Sequence, residues 1–450
     1  MLDRLARVWR RLRPWLVPLA IVVVLVALPN VPGRWNTDTG VMVEQMQARQ
    51  YDDVWSPFIT WLWQPLYSIG FGAAWLMFAQ VVVLTLAIGM VLRRSGMGLR
   101  SARIVTVLLM LSPLVYAAAI SVMRDTWFLC SLMVMIAVAL GPRTRGNVGM
   151  LAVASVLAVG SRQNASASVA VILVWAALRW WPLPSRVRRW AMAVGGGLAV
   201  TVLIVTAIAV WRKAEGVAAE HPETAVFVGD LDEMSTRVGE NLMPTDVVDP
   251  PLTMDEFRTS SIYALDTLWF YGQRASLRQP PEVHAEIRDA WLDAVKEHPV
   301  VYLHGRWKLF TRQIGWSGPP IVAFFPEDLG GGRAPTPAFP GMASVATDYL
   351  SLATHDGSWR LGGWMHRVWL WWLVSAAMYG WWWWARHRGE PPSWLFTLPF
   401  PLITAHLALV AFVAPHAQYR FVEAMAVITE VCTAAAIAAL VRSHAEVESA

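Results

Sequence analysis

Cysteine is nearly absent from the chain: Cys130 and Cys432 are the only two in 450 residues. Both fall inside apolar runs, where a disulfide has no evident role, so cysteine usage does not report the redox compartment. Charge is scarce as well, at 15% of residues, against 56% hydrophobic. There is no Walker loop, no HExxH, no GxSxG and no Cys/His cluster with metal-ligand spacing, which removes the common nucleotide, zinc-protease and serine-hydrolase chemistries. No internal repeat, low-complexity tract or cytoplasmic domain is visible. Nucleic acid is a poor partner, because the net charge of +5 is accounted for by arginines in short loops.

What remains is apolar sequence gathered into blocks. About 20 apolar residues are needed to cross a bilayer as a helix, and blocks of that kind centre near residues 22, 81, 113, 134, 154, 172, 201, 375, 404 and 431. The expected fold is therefore all-α, a polytopic membrane protein of about ten spans. Short cytoplasmic loops retain Lys and Arg. Arg4, Arg7, Arg10, Arg11 and Arg13 precede the first block, and Arg93, Arg94, Arg143, Arg145, Arg186, Arg188, Arg386 and Arg388 lie in later connections on the same side. The short loops opposite hold Arg34, Arg49, Arg124, Arg162 and Arg420. Both termini are thus expected in the cytoplasm, and the protein in the cell membrane, with Trp381 to Trp384 as an interfacial anchor. A basic start before an apolar run also fits a signal peptide, whose loss would leave nine spans and an unanchored first loop.

Three parts follow: an N-terminal module, 1–211, with seven spans; a long extracytoplasmic loop, 212–363; and three C-terminal spans, 364–450. The first extracytoplasmic loop, with Val54, Trp55, Phe58, Ile59, Trp61, Leu62 and Trp63, suits short helices lying in the interface. In the long loop, 298–316 alternates apolar and basic positions, so Arg306, Lys308 and Arg312, with Arg258, are expected to form a stripe facing lipid headgroups.

Ionisable groups at membrane depth are expensive and are candidate functional residues by default. Four places qualify: Asp38 after the first span; Arg124 and Asp125 between the third and fourth; Arg162 with Gln163 and Asn164 after the fifth; and His416, Gln418, Tyr419 and Arg420 before the last. The topology puts all four on the extracytoplasmic side. Each has a plain structural reading: a solvated acid, a helix-end ion pair, a snorkelling arginine, an interfacial anchor. Their convergence argues against all four being plain together. Asp52 and Asp53, in the first loop, are expected to be solvated.

These residues resemble the GT-C superfamily of membrane glycosyltransferases, which includes protein O-mannosyltransferases and aminoarabinose transferases. The resemblance rests on Asn36-Thr37-Asp38 after the first span, the aromatic stretch Tyr51-Asp52-Asp53-Val54-Trp55-Ser56-Pro57, Arg162 and Asn164 after the fifth, and Tyr419-Arg420 at the last. Thr39 stands where many relatives carry a second acid, and Trp55-Ser56-Pro57 where many have Trp-His-Pro. What the resemblance implies is sugar transfer, by inversion, from a polyprenyl-phosphate donor to an extracytoplasmic glycan, lipid or protein. Asp38 would be the base; Arg162, Arg420 and Arg124 would hold the donor phosphate; Asn164, His416 and Tyr419 would orient substrates. No cofactor is called for, no metal ligands are assigned, and a divalent cation stays open. Two other readings use the same arginines: a transporter or flippase of a lipid-linked or anionic substrate, and a polymerase or ligase of surface polysaccharide.

Overall fold

The structure, a computed structural model, describes residues 9–10, 12–69, 72–181, 184–244, 253–259, 281–318, 336–354, 364–389, 393–414 and 419–448. His416 and Gln418 lie outside these, and of Thr37, Gln163, Arg258 and Tyr419 only the backbone is described.

All named elements among the described residues are helical, and the extended contacts are two isolated bridges. A helical run Arg13–Asn30 (α1) leads to two short helices, Thr37–Ala48 (α2) and Pro57–Ser68 (α3). Then come Ala73–Arg94 (α4), Leu99–Leu111 (α5), Pro113–Ile120 (α6), Arg124–Ala139 (α7), Arg145–Ser161 (α8), Ser166–Trp180 (α9) and Arg186–Ala214 (α10). The long loop contributes Thr224–Val238 (α11), Met254–Thr259 (α12), Pro281–Glu297 (α13), Pro299–Gln313 (α14) and Pro340–Thr354 (α15). Val368–His387 (α16), Pro399–Val413 (α17) and Glu423–Glu448 (α18) follow.

Ten apolar blocks do not become ten full-length helices. Five helices among the described residues are long and apolar enough to cross a membrane: α1, α4, α10, Trp394–Val413 (which includes α17) and the Glu423–Val441 part of α18. The count is six if α5 and α6, bent by 72° at their junction, make one span. Local chemistry explains the bend. Ser112 ends α5 and caps α6, accepting from Val115 N at 3.4 Å, and Pro113 has no N–H with which to continue the first helix. α7, α8 and α9 have 16, 17 and 15 residues. At ~1.5 Å per residue each covers about 22–26 Å, short of the ~30 Å hydrocarbon core.

Two of these short helices meet the first loop at their ends, α7 through Arg124 and α8 through Ser161. Asn36 starts α2, its side chain accepting from Thr39 N at 2.9 Å, which puts Asp38 in the first turn, where the helix dipole favours a carboxylate. The loop is stitched to the α6–α7 turn. Arg34 N donates to Ile120 O at 2.9 Å, Val122 N to Arg34 O at 3.0 Å, and Thr39 Oγ1 to Val122 O at 2.6 Å. On the other flank Ser56 Oγ donates to Ser161 O at 2.8 Å. Phe58 packs on Gly160 so closely that a Cβ there would lie 2.2 Å from its ring, which would have to move to admit one.

Asp52 and Asp53 are not solvated; they are buried and bonded, because the loop folds back on the end of α10. Asp52 accepts from Gln45 Nε2 at 2.6 Å and from Val54 N at 3.1 Å, while Asp53 pairs with Arg212 Nη2 at 2.6 Å and accepts from Glu220 N at 2.8 Å. The α14 stripe is also corrected. Arg306 is 4% exposed: it pairs with Asp230 Oδ2 at 2.6 Å and donates to Ala414 O at 2.7 Å, while Lys308 pairs with Glu233 at 3.2 Å. The exposed stripe of α14 is apolar, with Val300, Leu303 and Trp307. Arg306 thus points into the protein, while Val300, Leu303 and Trp307 face outward.

Burial raises the Asp230 carboxyl above its ordinary range, and Arg306 opposes this. Removing one partner of such a pair leaves an uncompensated buried charge. Arg306→Ala is therefore expected to destabilise the loop by about 3–5 kcal/mol, read as a lowered melting temperature in detergent. Arg306→Met with Asp230→Leu should recover most of the loss, and an unchanged melting temperature in the single variant would return Arg306 to the surface.

Candidate functional site

Five of the residues singled out from the sequence, Asp38, Arg124, Asp125, Arg162 and Arg420, meet in one cluster. The Asp38 carboxylate is held through Oδ2 by Arg420 Nη1, with Arg124 Nη2 at 3.9 Å from the same oxygen. Arg124 is itself fixed, donating from Nη1 to Val54 O at 2.6 Å and to Ser56 Oγ at 3.3 Å, with its guanidinium 5.7 Å from the Trp55 ring centre. Arg162 Nη1 lies 2.5 Å from Asp125 Oδ1 and donates to Arg420 O at 3.1 Å. The Phe421 ring is 4.9 Å from the Arg162 guanidinium carbon and 5.5 Å from that of Arg420. Arg162 is 5% exposed, Asp38 and Arg420 9% each.

Each element delivers its side chain for a local reason. α8 stops at Ser161, and Arg162 takes extended backbone (φ −146°, ψ 137°) before the turn into α9. Arg124 and Asp125 open α7 just after the bridge to Arg34. Arg420 belongs to the turn Tyr419–Phe421, which His406 on α17 holds from below. Its Nε2 reaches Phe421 O at 2.7 Å, and a carbonyl only accepts, so Nε2 carries the proton. Nδ1 is then the acceptor for Ser168 Oγ at 3.0 Å. His406 thus clips the Arg420 turn to α9, whose start is fixed by Arg162.

No family model, curated protein or solved structure matches this chain. What the cluster can do must come from its own chemistry.

Three guanidinium groups face two carboxylates, Asp38 and Asp125, and a third acid, Glu423 at the start of α18, is buried beside them at 8% exposure. Arginine forks suit phosphate and carboxylate oxygens. Among the described residues no three His, Cys, Asp or Glu side chains come together as a ligand set, and the Asp38 and Asp125 carboxylates face guanidinium groups. A cavity of about 10 Å³ opens onto Asp125, Thr126, Arg420 and Glu423, roughly the space of one water.

Asn164 lies half-buried in the turn Gln163–Ala165, and no hydrogen bond described for the cluster involves it. Tyr419 is brought to the cluster by its backbone, and the place assigned to His416 lies outside the described residues. His406, Glu423 and Phe421 were not legible as site residues. His406 and Phe421 sit in or beside apolar runs, where a histidine or phenylalanine reads as core. Glu423 does carry a signal, an acid opening an apolar block.

Proposed function

We propose that the chain is a membrane glycosyltransferase of GT-C type, moving a sugar from a polyprenyl-phosphate donor to an extracytoplasmic acceptor by inverting displacement. The observation that carries this reading is the meeting of Asp38 with Arg124 and Arg420, with Arg162 bonded to the Arg420 backbone. A lipid-phosphate donor keeps its tail in the bilayer and its reactive carbon at the interface. An enzyme for it needs a carboxylate to take the acceptor proton and fixed cations for the departing phosphate. In the step, the acceptor oxygen bonds to the anomeric carbon as the bond from that carbon to the phosphate oxygen breaks. The proton passes to Asp38, and the electron pair leaves with polyprenyl phosphate, whose charge the arginines hold. Asn164, His416 and Tyr419 are assigned to orienting donor and acceptor.

The proposal includes a ten-span arrangement in the cell membrane, with both termini cytoplasmic and the cluster on the far side. Lys296, 72% exposed on α13, and Thr144, exposed before α8, then lie on opposite sides. Lys296→Cys should react with an impermeant thiol reagent in intact cells and Thr144→Cys only after lysis; Cys130 and Cys432 are buried and contribute little background. Labelling of both from the same side would remove the topology, and the donor side with it.

One observation favours a second reading, transport or flipping of a lipid-linked substrate. The α5–α6 break is a discontinuous helix of the kind that lines substrate paths, and Ser112 at the break donates to Glu430 on α18 at 3.1 Å. Polysaccharide polymerisation or ligation is a further use of the same arginines. Purified protein with a polyprenyl-phosphate sugar decides: a new glycosidic product with release of polyprenyl phosphate supports transferase, and movement of intact donor across proteoliposomes without product supports the transporter.

A further inference from the structure

The cluster contains a carboxylate oxygen that the arginines do not reach. Asp125 is 6% exposed; neither of its carboxylate oxygens has a hydrogen-bond partner among the described residues, although Oδ1 lies 2.5 Å from Arg162 Nη1 as an ion pair and Oδ2 has no such neighbour. An ionised oxygen left so would cost the desolvation of a charged group. Asp125 lines the 10 Å³ cavity, and so does Glu423, which is 8% exposed.

The charges facing this cavity decide what fits. Arg420 lines it, Arg162 stands against Asp125, and Arg124 and Asp38 follow behind Arg420. On the α17 side is His406, whose two nitrogens are taken by Ser168 and the Phe421 carbonyl. A sodium or divalent ion placed here would sit beside a guanidinium. Two adjacent ionised carboxylates with no cation between them repel. A single proton resolves both conditions, since it gives one acid a donor and leaves the other ionised for Arg162.

We propose that Asp125 and Glu423 are a proton-sharing carboxylate pair closed around one water, with the proton resident on Glu423 at neutral pH. Glu423 donates through the water to Asp125 Oδ2, and Asp125 Oδ1 keeps Arg162 aimed at the Arg420 backbone. Thr126 does not compete as a donor, because its hydroxyl is spent on Ala118 O at 2.9 Å and Ser121 O at 2.8 Å. Glu423 is then a positioning residue that acts on Arg162 through Asp125. Its value to donor binding rests on the transferase reading; the proton site itself does not.

Infrared spectroscopy of the full-length protein in detergent at neutral pH tests this without any substrate. The wild-type minus Glu423→Gln difference spectrum should contain the carbonyl stretch of a protonated carboxylic acid, shifting when H2O is replaced by D2O. Absence of that band overturns the proposal, whether or not the protein transfers sugar. Glu430, half-buried on α18, is removed in parallel by Glu430→Gln, so its contribution is subtracted. Should Glu423→Gln not fold, the Glu430→Gln spectrum decides: a protonated carboxyl band that survives there supports the pair, and its loss overturns it.

Discussion

Asp38→Asn is expected to lower sugar transfer by about two to four orders of magnitude, the usual share of a general base, while leaving donor affinity equal or higher. The second half of that expectation comes from the structure. Asp38 is held by Arg420 and approached by Arg124, so it and a donor phosphate would compete for the same guanidinium groups. An arginine-paired carboxylate is also a weak base, because the ion pair favours its ionised form. On the transferase reading, a donor phosphate that took the arginines would release Asp38 to accept the proton. Asparagine is nearly the same shape and competes less for the arginines, so binding is spared as chemistry is lost. The measurement is transfer and donor binding by purified wild type and variant at equal folded amounts. Equal transfer rates would remove Asp38 from the mechanism; loss of folding along with activity would make it structural.

The second large effect is expected at Arg162. Arg162→Met removes the ion-pair partner of the buried Asp125 and should destabilise the protein by about 3–5 kcal/mol. Arg162→Met with Asp125→Leu removes both charges and should recover most of that stability, as paired apolar replacements of buried ion pairs do. Donor use should stay lost in both, since neither variant restores a cation to the phosphate side. Melting temperature in detergent and donor binding separate the two contributions. A double variant that is stable and turns over normally would make the Arg162–Asp125 pair a packing element and no more.

The sequence made legible those parts of the cluster that stand out by being polar where polarity is expensive. Asp38, Arg124, Arg162 and Arg420 interrupt apolar runs, and positive-residue placement alone assigns them to one side. What it could not supply is partnership over long separations. Asp38 and Arg420 lie at opposite ends of the chain, and nothing local distinguishes an arginine that holds Asp38 from one that anchors at an interface. The same blindness misled the reading of α14. An amphipathic pattern says which positions share a face, not whether that face meets water, headgroups or Asp230 on another helix. Block length does mark α7 and α8 as too short to cross fully, and they have 16 and 17 residues; what it leaves out is which first-loop residues their polar ends meet.

The long loop has a core of its own. Val228, Leu231, Met234, Met243, Phe257, Ile287 and Ala294 form a cluster separate from the large one built by the spans. A cluster that can be lost without disturbing its neighbour is the condition for sub-global opening, the behaviour that native-state hydrogen exchange resolves as a distinct cooperative unit. The amides of α11 and α13 should therefore exchange together, at a lower free energy than those of α4 and ahead of them as denaturant is added. The buried Arg306, which joins Asp230 to the end of α17, is the contact whose rupture would set that free energy.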